Sequence, residues 1–173
     1  MTFVGHISAG IIVGTALKLA GMPDAVVPIS IIAASLPDID GPIYFAKKRK
    51  IAIGDDFAHH EWLTHKPIFW ILPGIIAMIS DFIFFDFAHA WFFAAYFLSI
   101  ISHFFFDSIG STDGIQWFYP FSRKWFLFWE VRATKGEWLK KYLEHPSSNI
   151  ERGLTAVAFF ALGYLFFSWL ILK

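Results

Sequence analysis

Long apolar stretches separated by polar segments constrain the fold of this chain more than any other feature. Five of them are evident, at residues 3–20, 24–36, 67–85, 88–109 and 153–171. A helix of about 20 apolar residues is long enough to cross the hydrocarbon of a bilayer. The chain is 57% hydrophobic, against about 45–50% apolar residues in soluble domains. We therefore predict an all-α, polytopic membrane bundle of about five helices.

The length and the segments between these stretches complete the outline. With 173 residues the chain is long enough for one domain, so residues 1–173 are interpreted as a single membrane-embedded domain. The second stretch is predicted to be a short tilted span or a re-entrant helix that stops at Pro37, because a residue before proline is biased away from helix. We expect a polar connection over residues 41–66 and an aromatic, basic segment at the membrane surface over residues 110–152.

The charges predict an orientation. Lys+Arg equal Asp+Glu, so the net charge gives no indication of nucleic acid as a partner. With five crossings, the N-terminus and the two long polar segments lie on one side. Those segments hold twelve of the fourteen basic residues: Lys47, Lys48, Arg49, Lys50, Lys66, Arg123, Lys124, Arg132, Lys135, Lys140, Lys141 and Arg152. Because basic loops stay in the cytoplasm, we expect an integral protein of the cell inner membrane whose N-terminus is cytoplasmic.

The same topology gathers histidines and aspartates at the cytoplasmic face. His103 and Asp107 are four residues apart in the run Ser-His-Phe-Phe-Phe-Asp, so they share one face of a helix. Such a pair is costly to bury among phenylalanines unless a partner compensates. The other candidates lie at the same ends of the predicted helices: His6, Asp38, Asp40, His60 and His65.

Imidazoles and carboxylates together indicate a divalent metal. There are no cysteines, which excludes a thiolate site. The donor set suits zinc, with manganese or iron as alternatives. A single catalytic zinc usually takes about three protein ligands, so seven candidates predict a site for two ions, which would activate a water and polarise a phosphoryl or acyl oxygen.

Each element of this pattern also has a simpler interpretation. His103 and Asp107 would also form a buried hydrogen-bonded pair, and Asp38 and Asp40 would also serve the turn around Pro37. Thr64 either donates its hydroxyl to a ligand or a phosphate, or caps the following helix. His60 and His65 would also suit a solvated loop. Glu61 is either a general base or an extra ligand, or a solvated side chain. The basic residues Lys66, Arg123 and Lys124 either attract phosphate or lipid headgroups or simply set the topology.

The ordered motifs resemble the YdjM-type family of membrane-bound metal-dependent hydrolases. They begin with His6 in Gly-His-x-x-x-Gly and continue with Leu36-Pro37-Asp38-Ile39-Asp40, His60-x-x-x-Thr64-His65 and Ser102-His103-x-x-x-Asp107, then Gly114, Trp117, Pro120 and Phe121. That family is distantly similar to the helical zinc-dependent phospholipase C and single-strand nuclease superfamily. The resemblance implies a phosphoester substrate, with Asp38, Asp40, Asp107 and Thr64 in catalysis.

Two departures from the family pattern concern its middle motif. Glu61 and Trp62 stand where the family commonly has Arg and Gly, and Lys66 stands where it commonly has Ser. We expect a metal-dependent phosphoesterase whose partners are membrane lipids and a phosphoester. The alternatives are a metal-binding carrier or sensor without enzymatic activity, and a scaffold that docks a cytoplasmic partner.

Overall fold

The structure is a computed structural model that describes residues 1–49, 59–111, 113–132 and 137–171. Lys50 and Lys135, used above to predict the orientation, lie outside these residues. The described chain is helical, with a single antiparallel bridge between Ile115 and Phe126. The helices are α1 (Phe3–Leu19), α2 (Val26–Ser35), α3 (Asp40–Lys48), α4 (Pro67–Phe85), α5 (Ala90–Asp107), α6 (Trp138–Glu144) and α7 (Ser147–Ile171).

Four helical runs are long and apolar enough to cross a membrane: Val26–Lys48, Pro67–Phe85, Ala90–Asp107 and Ser147–Ile171. α1 is also apolar but has 17 residues, near the lower limit of about 17–25 for a span. The prediction of an all-helical membrane protein is therefore confirmed. α7 begins at Ser147, six residues before the predicted start at 153. The apolar run did not reveal this start because the first turns of the helix consist mostly of polar residues.

The region around Pro37 differs from the prediction. α2 ends at Ser35, but the chain continues as a 3₁₀ turn over Leu36–Ile39 and then as α3. Leu36 itself keeps right-handed helical angles. A proline is tolerated at the first turn of a helical segment, where its missing N–H is not needed. The expected polar connection thus begins after Lys48 rather than at residue 41.

Glycines allow α1 and α2 to pack closely. A Cβ added to Gly10 would lie 2.7 Å from the carbonyl oxygen of Ser30, and one added to Gly14 would lie 2.6 Å from the Cα of Val27. Backbone atoms cannot move aside as a flexible side chain can, so these positions require glycine. Gly10 and Gly14 therefore form a small-residue helix–helix contact, which fixes the helix that carries His6 against the helix that precedes Asp38.

The packing order brings alternate helix ends together. α1 packs on α2, α5 and α7, α2 packs on α5, and α4 packs on α5. Gly74 of α4 lies against the rings of Tyr96 and Phe97. The start of α1, the end of α2 and the end of α5 therefore meet at one end of the bundle, as the alternating topology predicts.

The segment after α5 closes this end of the bundle. Ile115 is fully buried and packs with Ala33, Ile100 and Phe104. The indole of Trp117 donates to the Oγ of Ser108. The segment therefore contributes to the hydrophobic core. It also has the exposed aromatic side chains that were predicted for a membrane surface, such as Phe118, Phe121 and Phe128.

Candidate metal centre

Every metal ligand predicted from the sequence lies in one polar cluster, which we call the metal centre. His6 comes from α1, Asp38 and Asp40 from the turn after α2, and His103 and Asp107 from α5, while His60 and His65 lie in the 3₁₀ turns before α4. Six of these side chains are buried, and Asp38 is 14% exposed. Helices and tight turns hold the donors rigidly, which favours a defined site over a loose chelator.

The donors form three overlapping triads in which one ligand atom from each residue lies within 4.8 Å of the others. The first triad is His6, Asp38 and His103, and the second is His60, His65 and Asp107. The third joins Asp38 and His65 to Asp40. The first two triads have no residue in common, and the third shares Asp38 with the first and His65 with the second. This arrangement would suit two neighbouring metal ions.

His103 supplies the strongest test of whether a cation fits. Its Nδ1 lies 2.7 Å from the backbone carbonyl oxygen of Ala34, which only accepts, so Nδ1 carries the proton. In neutral His103 the other nitrogen, Nε2, then presents a lone pair 3.0 Å from Oδ2 of Asp107. A lone pair facing a carboxylate oxygen in a buried site is repulsive unless a proton or a metal ion lies between them.

The carboxylates point to the same conclusion. Within the described residues, Oδ2 of Asp38 and Oδ2 of Asp107 are buried and accept no hydrogen bond. The other oxygen of Asp107 lies 3.0 Å from Nε2 of His6 and 2.6 Å from the amino nitrogen of Met1. Buried carboxylate oxygens are normally paired or coordinate metals, so the residues present fit a divalent ion.

His65 lies between the carboxylates of the third triad. Its Nδ1 is 3.0 Å from Oδ2 of Asp40, and its Nε2 is 3.5 Å from Oδ1 of Asp38. Burial alone would lower the pKa of His65, but the hydrogen bonds with Asp38 and Asp40 and the negative charge of Asp107 outweigh it and raise the pKa to about 9. Metal binding at His65 must therefore displace a proton.

Asp113 is a residue that the sequence reasoning missed. Its Oδ1 lies 2.7 Å from Nδ1 of His60, which leaves Nε2 of His60 directed to the centre, 3.8 Å from Oδ2 of Asp107. A carboxylate that holds the second nitrogen of a histidine ligand fixes the orientation and basicity of the ring. The carbonyl of Ala34 plays the same part for His103.

We expect Asp113→Asn to weaken metal binding at His60 by about 10- to 100-fold, because such outer partners typically contribute that much to affinity. The change keeps the shape of the side chain and removes its charge. A competition titration against a chromophoric chelator measures the effect. Glu130→Gln, in the same segment but paired with Arg132 at the surface, is the control; equal affinities in the two variants would remove Asp113 from the centre.

Neither Lys66 nor Thr64 has the simpler role considered for it, an exposed topology-setting charge for Lys66 and a helix cap for Thr64. Lys66 is 4% exposed, its Nζ donates to the carbonyl of His60 at 3.0 Å, and it lies 4.7 Å from the ring centroid of Trp125. Burial lowers the pKa of Lys66, against the opposing charges of Glu61 and Asp113. It is thus a buried support of the His60 turn rather than a charge at an open interface. Thr64 does not cap α4, since Lys66 is the cap residue.

His89 and His145 lie away from the metal centre. His89 pairs with Asp81, with Nδ1 and Oδ1 2.6 Å apart. This pair lies where α4 ends and α5 begins, at the end of the bundle opposite the metal centre. His145 contacts Ser147 in the turn before α7. Both positions agree with their exclusion from the predicted ligand set.

Comparison with known proteins gives one match. The family described as YdjM inner membrane protein matches residues 1–173. No curated protein and no solved structure matches this chain.

Proposed function

This chain belongs to the YdjM inner membrane protein family, and we propose that it is a metal-dependent hydrolase acting on a phosphoester. The observation that carries the proposal is the pair of disjoint His/Asp triads linked through Asp38, His65 and Asp40. Two-metal sites of oxygen and nitrogen donors serve many enzymes that cleave phosphoesters. The resemblance to the zinc-dependent phospholipase C and single-strand nuclease superfamily supports the same class of substrate.

The proposed metals are two divalent ions, zinc first and manganese or iron second, judged from the donor types. When bound they would supply Lewis acidity and a water of lowered pKa. The residues of the chain would hold the ions and orient the ligands. Asp38 belongs to the first triad and to the third, so it would hold one ion and connect that position to His65 of the second triad. Asp107 joins the second triad to His6 through the hydrogen bond between Oδ1 and Nε2.

Asp40 and Thr64 would act on the groups around the ions. Asp40 lies 3.0 Å from Nδ1 of His65 and orients that ring. The hydroxyl of Thr64 is buried, and no hydrogen-bond partner for it is found in the described part of the chain, so it is available to donate to a ligand or to a phosphate oxygen. The partly exposed Asp38 marks the side from which a substrate would approach.

The proposed orientation places the metal centre at the cytoplasmic face. The distribution of basic residues supports this orientation. The two long polar segments, which lie at the same end of the bundle as the metal centre, contain twelve of the fourteen Lys and Arg residues, and basic loops stay in the cytoplasm. A site at this level meets both lipid headgroups and soluble phosphoesters.

A panel of phosphoesters tests the activity. Protein purified in detergent and loaded with zinc or manganese would be incubated with p-nitrophenyl phosphate, bis(p-nitrophenyl) phosphate, phosphatidylcholine, phosphatidylethanolamine and phosphatidylglycerol. We expect hydrolysis of at least one, with a rate in Asp38→Asn that is lower by about a hundredfold or more, since loss of an electrostatic group at a reacting centre costs about 10²–10³.

Asp24→Asn is the matched control, because Asp24 is 85% exposed and pairs with Lys18 at the other end of the bundle. It should retain the wild-type rate. Absence of hydrolysis across the panel in fully metal-loaded protein, or equal rates in both variants, would reject the hydrolase.

The burial of the site favours a second candidate, a metal-binding protein without enzymatic activity. His65 and His103 are completely buried and His6 is 1% exposed, as in structural sites that leave no open coordination position. This candidate predicts tight metal binding without turnover of any phosphoester, so the same panel separates the two.

A further inference from the structure

A cleft of about 510 Å³ lies between α6 and α7, apart from the metal centre. Leu143 of α6 forms one wall, and Arg152, Ala156, Phe159 and Phe160 of α7 form the other. None of these residues belongs to the metal centre. Sites that bind small molecules have volumes of about 300–1,000 Å³, so the cleft has the size of a ligand site.

The cleft is polar at one end and apolar at the other. Arg152 lies in the second turn of α7, while Phe159 and Phe160 follow two turns later, about 10–12 Å along the helix. Both phenylalanines are about three-quarters exposed, at 74% and 75%. α7 is one of the helices long and apolar enough to cross a membrane, so the apolar end of the cleft faces hydrocarbon.

Arg152 is held at the polar end with donors to spare. One of its terminal nitrogens donates to Oδ1 of Asn149 at 3.1 Å, and the other donates to the carbonyl of Leu143 at 3.0 Å. A guanidinium has five N–H donors, so three remain. The two contacts fix the planar group at the junction of α6 and α7, where it is exposed.

The surrounding charges favour an anion. Lys140 and Lys141 of α6 are exposed, and Nζ of Lys141 lies 4.0 Å from Oε2 of Glu144, so the basic groups here outnumber the free carboxylates. Glu151 also lines the cleft, but its carboxylate accepts hydrogen bonds from the hydroxyl of Tyr142 at 2.6 Å and from the backbone N–H of Thr2 at 3.0 Å. Both contacts tie the carboxylate of Glu151 to α6 and to the start of the chain.

We propose that this cleft binds an anionic glycerophospholipid. The phosphate would lie on Arg152, and an acyl chain would run along Ala156, Phe159 and Phe160. Arginine suits this role because its planar donors match phosphate oxygens. The proposal concerns a binding site only and does not depend on the activity of the metal centre.

Native mass spectrometry of the detergent-purified protein tests it, with phosphatidylglycerol and phosphatidylcholine as the probes. We expect wild type to retain phosphatidylglycerol more tightly. Arg152→Gln should lower the affinity for phosphatidylglycerol about fivefold, the effect of about 1 kcal/mol per basic residue at an anionic lipid. Ala156→Phe, which fills the apolar end, should weaken binding of both lipids.

Two matched controls complete the design. Arg132→Gln makes the same change at an 88% exposed position outside the cleft, and Val157→Phe adds bulk to the neighbouring face of α7; both should bind as wild type does. Equal affinity of Arg152→Gln and Arg132→Gln, or an equal effect of Ala156→Phe and Val157→Phe, would overturn the proposal. Metal content, measured in parallel, should be unchanged in all four variants.

Discussion

Asp38→Asn is expected to weaken metal binding at the triad of His6 and His103 by about a hundredfold or more, a larger loss than the 10- to 100-fold typical of residues that merely support a ligand. Asp38 belongs to the triad of His6 and His103 and to the triad of Asp40 and His65. Asparagine keeps the shape but provides only one neutral oxygen acceptor. The substitution therefore removes a ligand of the first triad and its link to His65, whereas His60→Gln should affect the second triad alone.

A competition titration with a chelator of known affinity measures this result, and Asp24→Asn serves as its control. Circular dichroism of the metal-free variants confirms that the helices are retained. If Asp38→Asn bound two ions as tightly as Asp24→Asn does, Asp38 would not link the triads and the two-ion arrangement would be wrong.

Removal of each bound metal ion is expected to lower the melting temperature of the protein by about 8–16 °C. A ligand present at a thousand times its Kd stabilises the folded state by about 4 kcal/mol, and each kcal/mol shifts the midpoint by about 2–4 °C in a chain of this size. Without a metal ion, the buried carboxylates of Asp38, Asp40 and Asp107 are balanced by protonated His65 and by the amino group of Met1, which compensate them incompletely.

Thermal unfolding in detergent, followed with and without a chelator and then after zinc is added back, checks this expectation. Asp24→Asn should show the full shift, whereas Asp38→Asn should show a smaller one. An identical melting temperature of the wild type with chelator and with zinc would mean that no ion is bound in the folded state.

Much of the fold could be predicted because hydrophobic runs and helix ends are local features. The stretch predicted at residues 67–85 coincides with α4, and that at 88–109 exceeds α5 by two residues at each end. The early start of α7 could not be predicted from hydropathy, since its first turns are stabilised by tertiary contacts such as that of Glu151 with Tyr142. The helical run continues beyond Pro37 because proline is tolerated in the first turn of a new helical segment, which the bias against helix at the preceding residue does not take into account.

The predicted ligands meet because spacing and alternation constrain them strongly. The i, i+4 interval aligns His103 with Asp107, and antiparallel helices return His6, Asp38 and His65 to the same end. The supports of these ligands gave no comparable signal. Ala34 acts through its backbone carbonyl, a group that every residue has. Asp113 lies in an irregular segment, where spacing predicts no position. Lys66 could not be distinguished by its sequence from the other basic residues.

The most direct test of the central claim is the metal content of the wild-type protein. After growth in metal-replete medium and purification in detergent without chelator, elemental analysis should find two divalent ions per chain, with zinc the first expectation. Less than one tightly held ion per chain would contradict the metal centre, and with it the account of why these histidines and aspartates are buried together.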